Sequence, residues 1–130
     1  VRDSIEAEGG EAIPQRLDVR DKDAVDRALQ EVIDTFGGVD ILVNNAGGTF
    51  RQRFLDTSPN GWDTLIRSNL THVFICTAAA TRVMIEQGRG GRVINVSSIE
   101  GLRAAPNFAA YAAATLSRIP NTVAACPIRR

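Results

Sequence analysis

The sequence predicts an α/β protein built on a parallel sheet, and three observations carry that prediction. Residues 39–45 and 92–97 are short apolar runs rich in β-branched residues, as expected of parallel strands covered on both faces. Two longer stretches, 22–36 and 59–87, carry apolar residues at helical spacing. Strand and helix alternate along the chain, which is the pattern of βαβ units rather than of hairpins.

Taken in order, residues 1–8 read as the end of a helix with Ile5 and Ala7 as its apolar anchors, and Gly9-Gly10 stop it. Residues 12–18 read as a strand. Pro14 assigns it to an edge, because proline donates no ladder hydrogen bond. Asp21 suits the N-cap of a helix over 22–36, whose buried stripe would be Val25, Leu29, Val32, Ile33 and Phe36. Gly37-Gly38 end that helix and residues 39–45 form the next strand. A polar loop over 48–57 leads to Ser58, a cap, and Pro59, suited to the first helical position. Trp62, Ile66, Leu70, Val73, Thr77 and Met84 would mark the inner face of the helix 59–87. Gly88, Gly90 and Gly91 turn the chain into the strand at 92–97. Gly101 and Pro106 break it, and an Ala-rich helix carries Tyr111. Pro120 would halt that helix, and the tail beyond it, including Cys126-Pro127, has no period from which to assign an element.

Bulk properties exclude several classes. A chain of 130 residues is one domain at most. Hydrophobic content of 44% and charged content of 23% are ordinary for a globular domain. Net charge is zero, so neither nucleic acid nor an acidic membrane surface is an expected partner. Two cysteines, Cys76 and Cys126, make no disulfide framework, and no Cys/His cluster has metal-ligand spacing. No apolar run approaches the ~18 residues of a membrane span. A cytoplasmic location is the expectation. The chain opens at Val1 without Met, inside a polar helix-like segment, and reads as a piece of something longer.

Several residues carry chemistry. Asn44-Asn45-Ala46-Gly47 follows an apolar strand directly, and small residues there admit a ligand to the backbone; an ordinary strand-ending turn would look the same. Leu17-Asp18-Val19 closes an earlier strand, where an Asp most often serves as a turn or cap residue. Asn69 lies mid-helix on the inward seam and needs hydrogen bonds there, whether as a packing amide or as a site residue. Ser98 ends a strand and Tyr111 rides the following helix, thirteen positions later. Open α/β sheets bind ligands at that strand-end edge.

Together these motifs resemble the short-chain dehydrogenase/reductase family. Asn-Asn-Ala-Gly after a strand, Asp-Val before it, Ser68-Asn69-Leu70 on the long helix, and a serine thirteen before a Tyr-x-x-x-Lys motif are its marks. The resemblance covers residues 1–115 and implies a partial Rossmann-like doubly wound parallel sheet, holding strands 3, 4 and 5 of the family fold with flanking helices. Residues 116–130 form a tail without family counterpart. The implied activity is oxidation of a secondary alcohol or reduction of a ketone with NAD or NADP. Tyr111 would be the general acid/base and Ser98 would hold and polarise the substrate oxygen. The backbone of Asn69 would hold a relay water. Asp18 and Val19 would flank the adenine, Asn45, Ala46 and Gly47 would line the cofactor, and Asn44 would tie the sheet together. The Ser98 and Tyr111 hydroxyls are expected in one cleft, floored by residues 45–47, with Asn69 beneath Tyr111. The long helix would pair with a second copy, giving a homo-oligomer.

This sequence departs from the family at one position of the motif. Thr115 stands where the lysine belongs, and an unperturbed phenol titrates near ~10, so a cation is the usual means of making it useful at neutral pH. Lys22, the one lysine of the sequence, lies far away in the chain; His72, its one histidine, is expected in helix packing or exposed. The family's Gly-rich turn and first two strands would precede Val1, leaving strand 3 either collapsed beside strand 4 or separated from it by a gap. The abrupt change after Ala114 suggests a shifted frame or misplaced splice. A non-catalytic pairing remnant and an unrelated α/β binding domain are the alternative expectations.

Overall fold

The computed structural model describes residues 1–103, 105–117 and 122–125, the last four by backbone alone. Its elements follow the predicted alternation. Helix α1 spans Arg2–Ala7 and helix α2 Lys22–Phe36. Strand β1 is Ile41–Asn44. Helices α3 (Pro59–Ile66) and α4 (His72–Glu86) are joined by a π turn over Arg67–Thr71. Strand β2 is Gly91–Asn95, helix α5 Ala109–Leu116 and strand β3 Thr122–Ala125. Asp21 caps α2, its side chain accepting from the Asp23 and Ala24 amides, and Gly37 closes that helix. Ser58 caps α3 through the Gly61 amide, with Pro59 at the first position.

Strands β1 and β2 pair in parallel, Ile41 opposite Arg92 and Asn44 opposite Asn95. Leu42 and Val93 therefore face the helices, where Val39, Ala80, Met84 and Val93 make the core with Leu29, Val32 and Val83 against it. The opposite face is bare: Ile41, Val43, Ile94 and Val96 are exposed. This is an α/β sheet of Rossmann type that stays open, flanked on one side by α2 and α4.

Three expectations are corrected. Residues 12–18 form no regular element and join no ladder among the described residues, so they do not collapse beside β1 as a strand. A strand exists only against a neighbour, and none of the described residues supplies one beside this segment. It lies instead along α2, where Gln15 Nε2 donates to the Ala28 carbonyl (3.2 Å) and the Glu31 carboxylate (2.8 Å). Leu17, Val25, Leu29, Leu42 and Cys76 line a cavity of about 170 Å³ between it and β1.

Second, the long helix is not uniform. Thr64, Ser68 and Asn69 bond back to the carbonyls of Asn60, Thr64 and Leu65, four residues earlier. Such competition for carbonyls loosens a helix, and here the ladder widens into the π turn. The extra residue shifts the buried seam. Leu65, Asn69, Val73, Ala80 and Met84 face inward, whereas Trp62 is exposed and Ile66 and Leu70 are only half-buried.

Third, part of the unassigned tail does form an element. Strand β3 pairs antiparallel with β2, Ile94 opposite Thr122 and Gly91 opposite Ala125. Pro120 and Cys126-Pro127 lie outside the described residues. Among the described residues no helix is long and apolar enough to cross a membrane, and no group of His, Cys, Asp or Glu side chains could hold a metal.

Candidate active site

A cleft of about 200 Å³ opens where β1 and β2 end, lined by Asn45, Gly47, Gly48, Thr49, Asn69, Val96, Ser97 and Tyr111. Its floor is set by one amide. Asn69 is buried in the π turn. Its Nδ2 donates to the Gly48 carbonyl (2.7 Å) and its Oδ1 accepts from the Gly48 amide (3.1 Å), while Nδ2 also reaches the Leu65 carbonyl (2.9 Å). The loop after β1 is thereby pinned to the helix by two reciprocal bonds. Glycine is required at 47 because a Cβ there would stand 2.7 Å from Asn69 Oδ1. Asn44, buried just below, donates to Thr77 Oγ1 (3.0 Å) and Asn95 Oδ1 (2.8 Å), tying β1, α4 and β2 together.

Tyr111 enters from α5. Its ring meets Phe108 edge-on, centroids 6.4 Å apart, and the Arg51 guanidinium lies 5.8 Å from the Phe108 centroid. The Gln52 amide donates to the Asn107 carbonyl (3.0 Å), which clips the loop after β1 onto the turn before α5. Phe50 and Phe54 remain exposed on that loop.

The two serines after β2 diverge. Ser97 lines the cleft and donates to the Thr115 carbonyl (2.8 Å). Ser98 does not line it; its hydroxyl donates to the Glu100 carboxylate and caps a short 3-10 turn, Ile99–Gly101. The Ser98 hydroxyl, followed by the Glu100 amide and Arg103, holds the Glu100 carboxyl below the usual range. Thr115 is fully buried, its hydroxyl donating to the Tyr111 (2.9 Å) and Ala112 (3.2 Å) carbonyls. Gly101 lets α5 approach this closely, since a Cβ there would stand 2.9 Å from the Leu116 nitrogen. Threonine at 115 is thus a packed helix residue and presents no charge.

Of the sequence-predicted site residues, the cleft unites Asn45, Gly47, Asn69 and Tyr111. Ala46 is exposed beside it. Asp18 and Val19 lie elsewhere, in the turn before α2. Asp18 borders a separate cavity of about 510 Å³ with Arg20, Lys22, Thr64 and Arg67. Its carboxylate is gripped by the Arg20 side chain (2.7 Å) and then by the Arg20 amide (2.9 Å), which hold its pKa down to about 2. Sequence reasoning missed Gly48, Ser97 and Glu100. Glu100 stands two residues after Ser98, where a side chain can reach back, and that proximity was the available signal. His72, as one expectation had it, is buried at the start of α4. Burial pushes the Cys76 thiol up, which makes it a poor nucleophile.

The family model for short chain dehydrogenase matches residues 1–116. The chain belongs to the short-chain dehydrogenase family. A 3-oxoacyl-[acyl-carrier-protein] reductase of Synechocystis is 41% identical over 110 residues, covering 85% of this chain and 44% of the relative. A short-chain type dehydrogenase/reductase from Mycobacterium marinum superposes with a TM-score of 0.85 at 33% identity, covering 89% of this chain and 46% of that structure. Carveol dehydrogenase from Mycobacterium avium, solved in complex with NAD, gives 0.83 at 32% identity, covering 88% and 42%. The chain spans under half the length of the relatives it matches.

The cleft residues fit a flat cofactor in one respect visible in the structure. The stretch 45–48 carries only one side chain larger than a methyl, and the amide behind it is already satisfied by Gly48, so the backbone is open to close approach.

Proposed function

We propose that this chain carries the catalytic segment of an NAD(P)-dependent oxidoreductase that interconverts a secondary alcohol and a ketone. The observation that carries the reading is the meeting of Tyr111, Asn69 and the Asn45–Gly47 stretch in one cleft at the strand ends. NAD or NADP, held by Asp18, Val19, Asn45, Ala46 and Gly47, would supply or accept the hydride. Tyr111 gives its phenol proton to the ketone oxygen, or takes it back from the alcohol, and Ser98 would hold that oxygen once its hydroxyl turns from Glu100 into the cleft. Asn69 fixes the loop against which the reactants lie, and its backbone holds the water that returns the proton to solvent. The identity of the relatives with named reductases supports this class of substrate, and the NAD complex of carveol dehydrogenase supports the cofactor.

The exposed apolar face of α4, with Phe74 and Ile85 around a groove of about 510 Å³, is the face proposed to pair with a second copy. A cytoplasmic protein is the reading consistent with these features. The 130-residue chain alone is expected to show no micromolar binding of NADH or NADPH, because the Gly-rich turn that cradles the pyrophosphate is not among these residues. A fluorescence titration with a micromolar midpoint would contradict that.

The test of function is a chimera in which residues 1–116 replace the matching stretch of the Synechocystis reductase. With Thr115→Lys, the chimera is expected to reduce ketones, and more slowly with Thr115 retained. Tyr111→Phe should lower its turnover by roughly 10²–10⁴-fold. A chimera indifferent to Tyr111→Phe would rule the assignment out.

A further inference from the structure

We propose that Gly48 sets the breadth of the substrate, opening the cleft to a ketone or alcohol that carries a flat ring on the carbon bearing the oxygen. The inference rests on the substrate site proposed above and names the class of substrate it takes. Two glycines stand side by side in the wall of the cleft, and the fold needs only one of them. A Cβ at 47 would stand 2.7 Å from Asn69 Oδ1, whereas a Cβ at 48 would meet no atom within 4 Å. The φ angle of Gly48 also lies outside the left-handed region, so no backbone strain calls for glycine there. What the missing side chain at 48 leaves is room.

That room lies against a wall with little to hydrogen-bond. Asn69 already takes the Gly48 amide (3.1 Å) and the Gly48 carbonyl (2.7 Å). The backbone at 48 therefore offers a ligand its Cα face, and Val96 and the Tyr111 ring are the apolar members of the same lining. A flat wall without a free donor suits the face of a ring, while orientation falls to the few polar groups around it. Gly48 directly follows the stretch 45–47 proposed to line the cofactor, and it opens the loop that carries Phe50 and Phe54. The room thus falls on the substrate's side of the site. A methyl or isopropyl group at 48 would intrude there, and a packed site rejects even a small excess of volume.

The test uses the isotope-labelled 130-residue chain and two methyl ketones with the same number of carbons, acetophenone and 2-octanone. Binding is followed by NMR at the backbone amide of position 48 and the side-chain amide of Asn69. Both ketones are expected to shift these signals in the unaltered chain. Gly48→Ala should weaken acetophenone binding by roughly tenfold, the weight of one extra carbon in a filled pocket. Gly48→Val should weaken it further, and neither change should weaken the slim 2-octanone to that extent. In urea unfolding, Gly48→Ala should match the unaltered chain, whereas Gly47→Ala should be destabilised by its clash with Asn69. An unaltered chain in which acetophenone moves neither signal, a loss shared equally by the two ketones, a Gly48→Val chain that binds acetophenone as before, or a Gly48→Ala chain as destabilised as Gly47→Ala would each overturn the proposal. The proposed function itself fails on a different result, the indifference of the chimera to Tyr111→Phe.

Discussion

On the side of β1 that faces β2, the ladder runs in register from Ile41 to Asn44 and side chains stitch across it. Asn44 reaches both Thr77 and Asn95. Gln87 brackets Val39, accepting from its amide (3.2 Å) and donating to its carbonyl (2.8 Å). On the other side of β1, residues 11–18 join no ladder among the described residues, and a cavity of about 170 Å³ lies between them and the strand. The difference is that the β2 side is fixed by a ladder and by side-chain bonds, whereas residues 11–18 join no ladder among the described residues. The candidate cleft sits at the end of the fixed side.

Four measurements would break or sharpen that contrast. The largest effect is expected from Met84→Ala, because Met84 is fully buried between α4 and β2. A loss of about 2–5 kcal/mol in urea unfolding is expected, from lost burial plus a cavity. A loss below about 1 kcal/mol would mean that the core can collapse and the stitched side is looser than described.

Asn69→Ala comes next. It removes the two bonds that hold exposed Gly48 to the helix, at about 0.5–1.5 kcal/mol each. Hydrogen exchange at Gly48 should accelerate at the same time. Slow exchange retained in the variant would show that something other than Asn69 holds the loop.

Val43→Thr probes the bare face. Val43 is 53% exposed. Its substitution should change stability by no more than about 0.5 kcal/mol. A large loss would show that this face is covered in solution, and the contrast would have to be redrawn.

The smallest effect is electrostatic and lies at the turn before α2. Asp18 is held at about 2, against an ordinary 3.8, by Arg20. A carboxyl whose folded pKa lies below its unfolded value stabilises the fold above the unfolded value. That contribution fades as the pH falls from the ordinary value through the folded one. Both partners are exposed, so the effect on stability is small and screened by salt. A carboxyl-carbon NMR titration should find the low midpoint, and Arg20→Ala should return it toward the ordinary range. An ordinary midpoint in the unaltered chain would show that the pair does not persist.

Much of this architecture was legible because it is written locally. Asp21 and Ser58 cap their helices as side chains two or three residues from the amides they satisfy. The run 41–43 is a strand because nothing in it is polar enough to prefer water. The motif Asn44-Asn45-Ala46-Gly47 marked both the stitch and the cleft, since adjacent residues at a strand end point to fixed and different sides. The buried seam of the long helix was misread from Trp62 to Leu70 because a single period was carried through a segment where three back-bonding side chains change the pitch.

The sequence by itself determined the alternation of elements, their caps, the family motifs and the absence of lysine at 115. All of these depend on residue type and on spacing within a few turns of chain. Only the tertiary structure decided that residues 12–18 are no strand, that part of the tail pairs antiparallel with β2, and that Thr115 is buried against Ser97 and Gly101. It also decided where the Ser98 proton goes. A strand needs a neighbour, a buried position needs a cover and a hydroxyl proton needs an acceptor, and each of those partners is settled by distance in space rather than by distance along the chain.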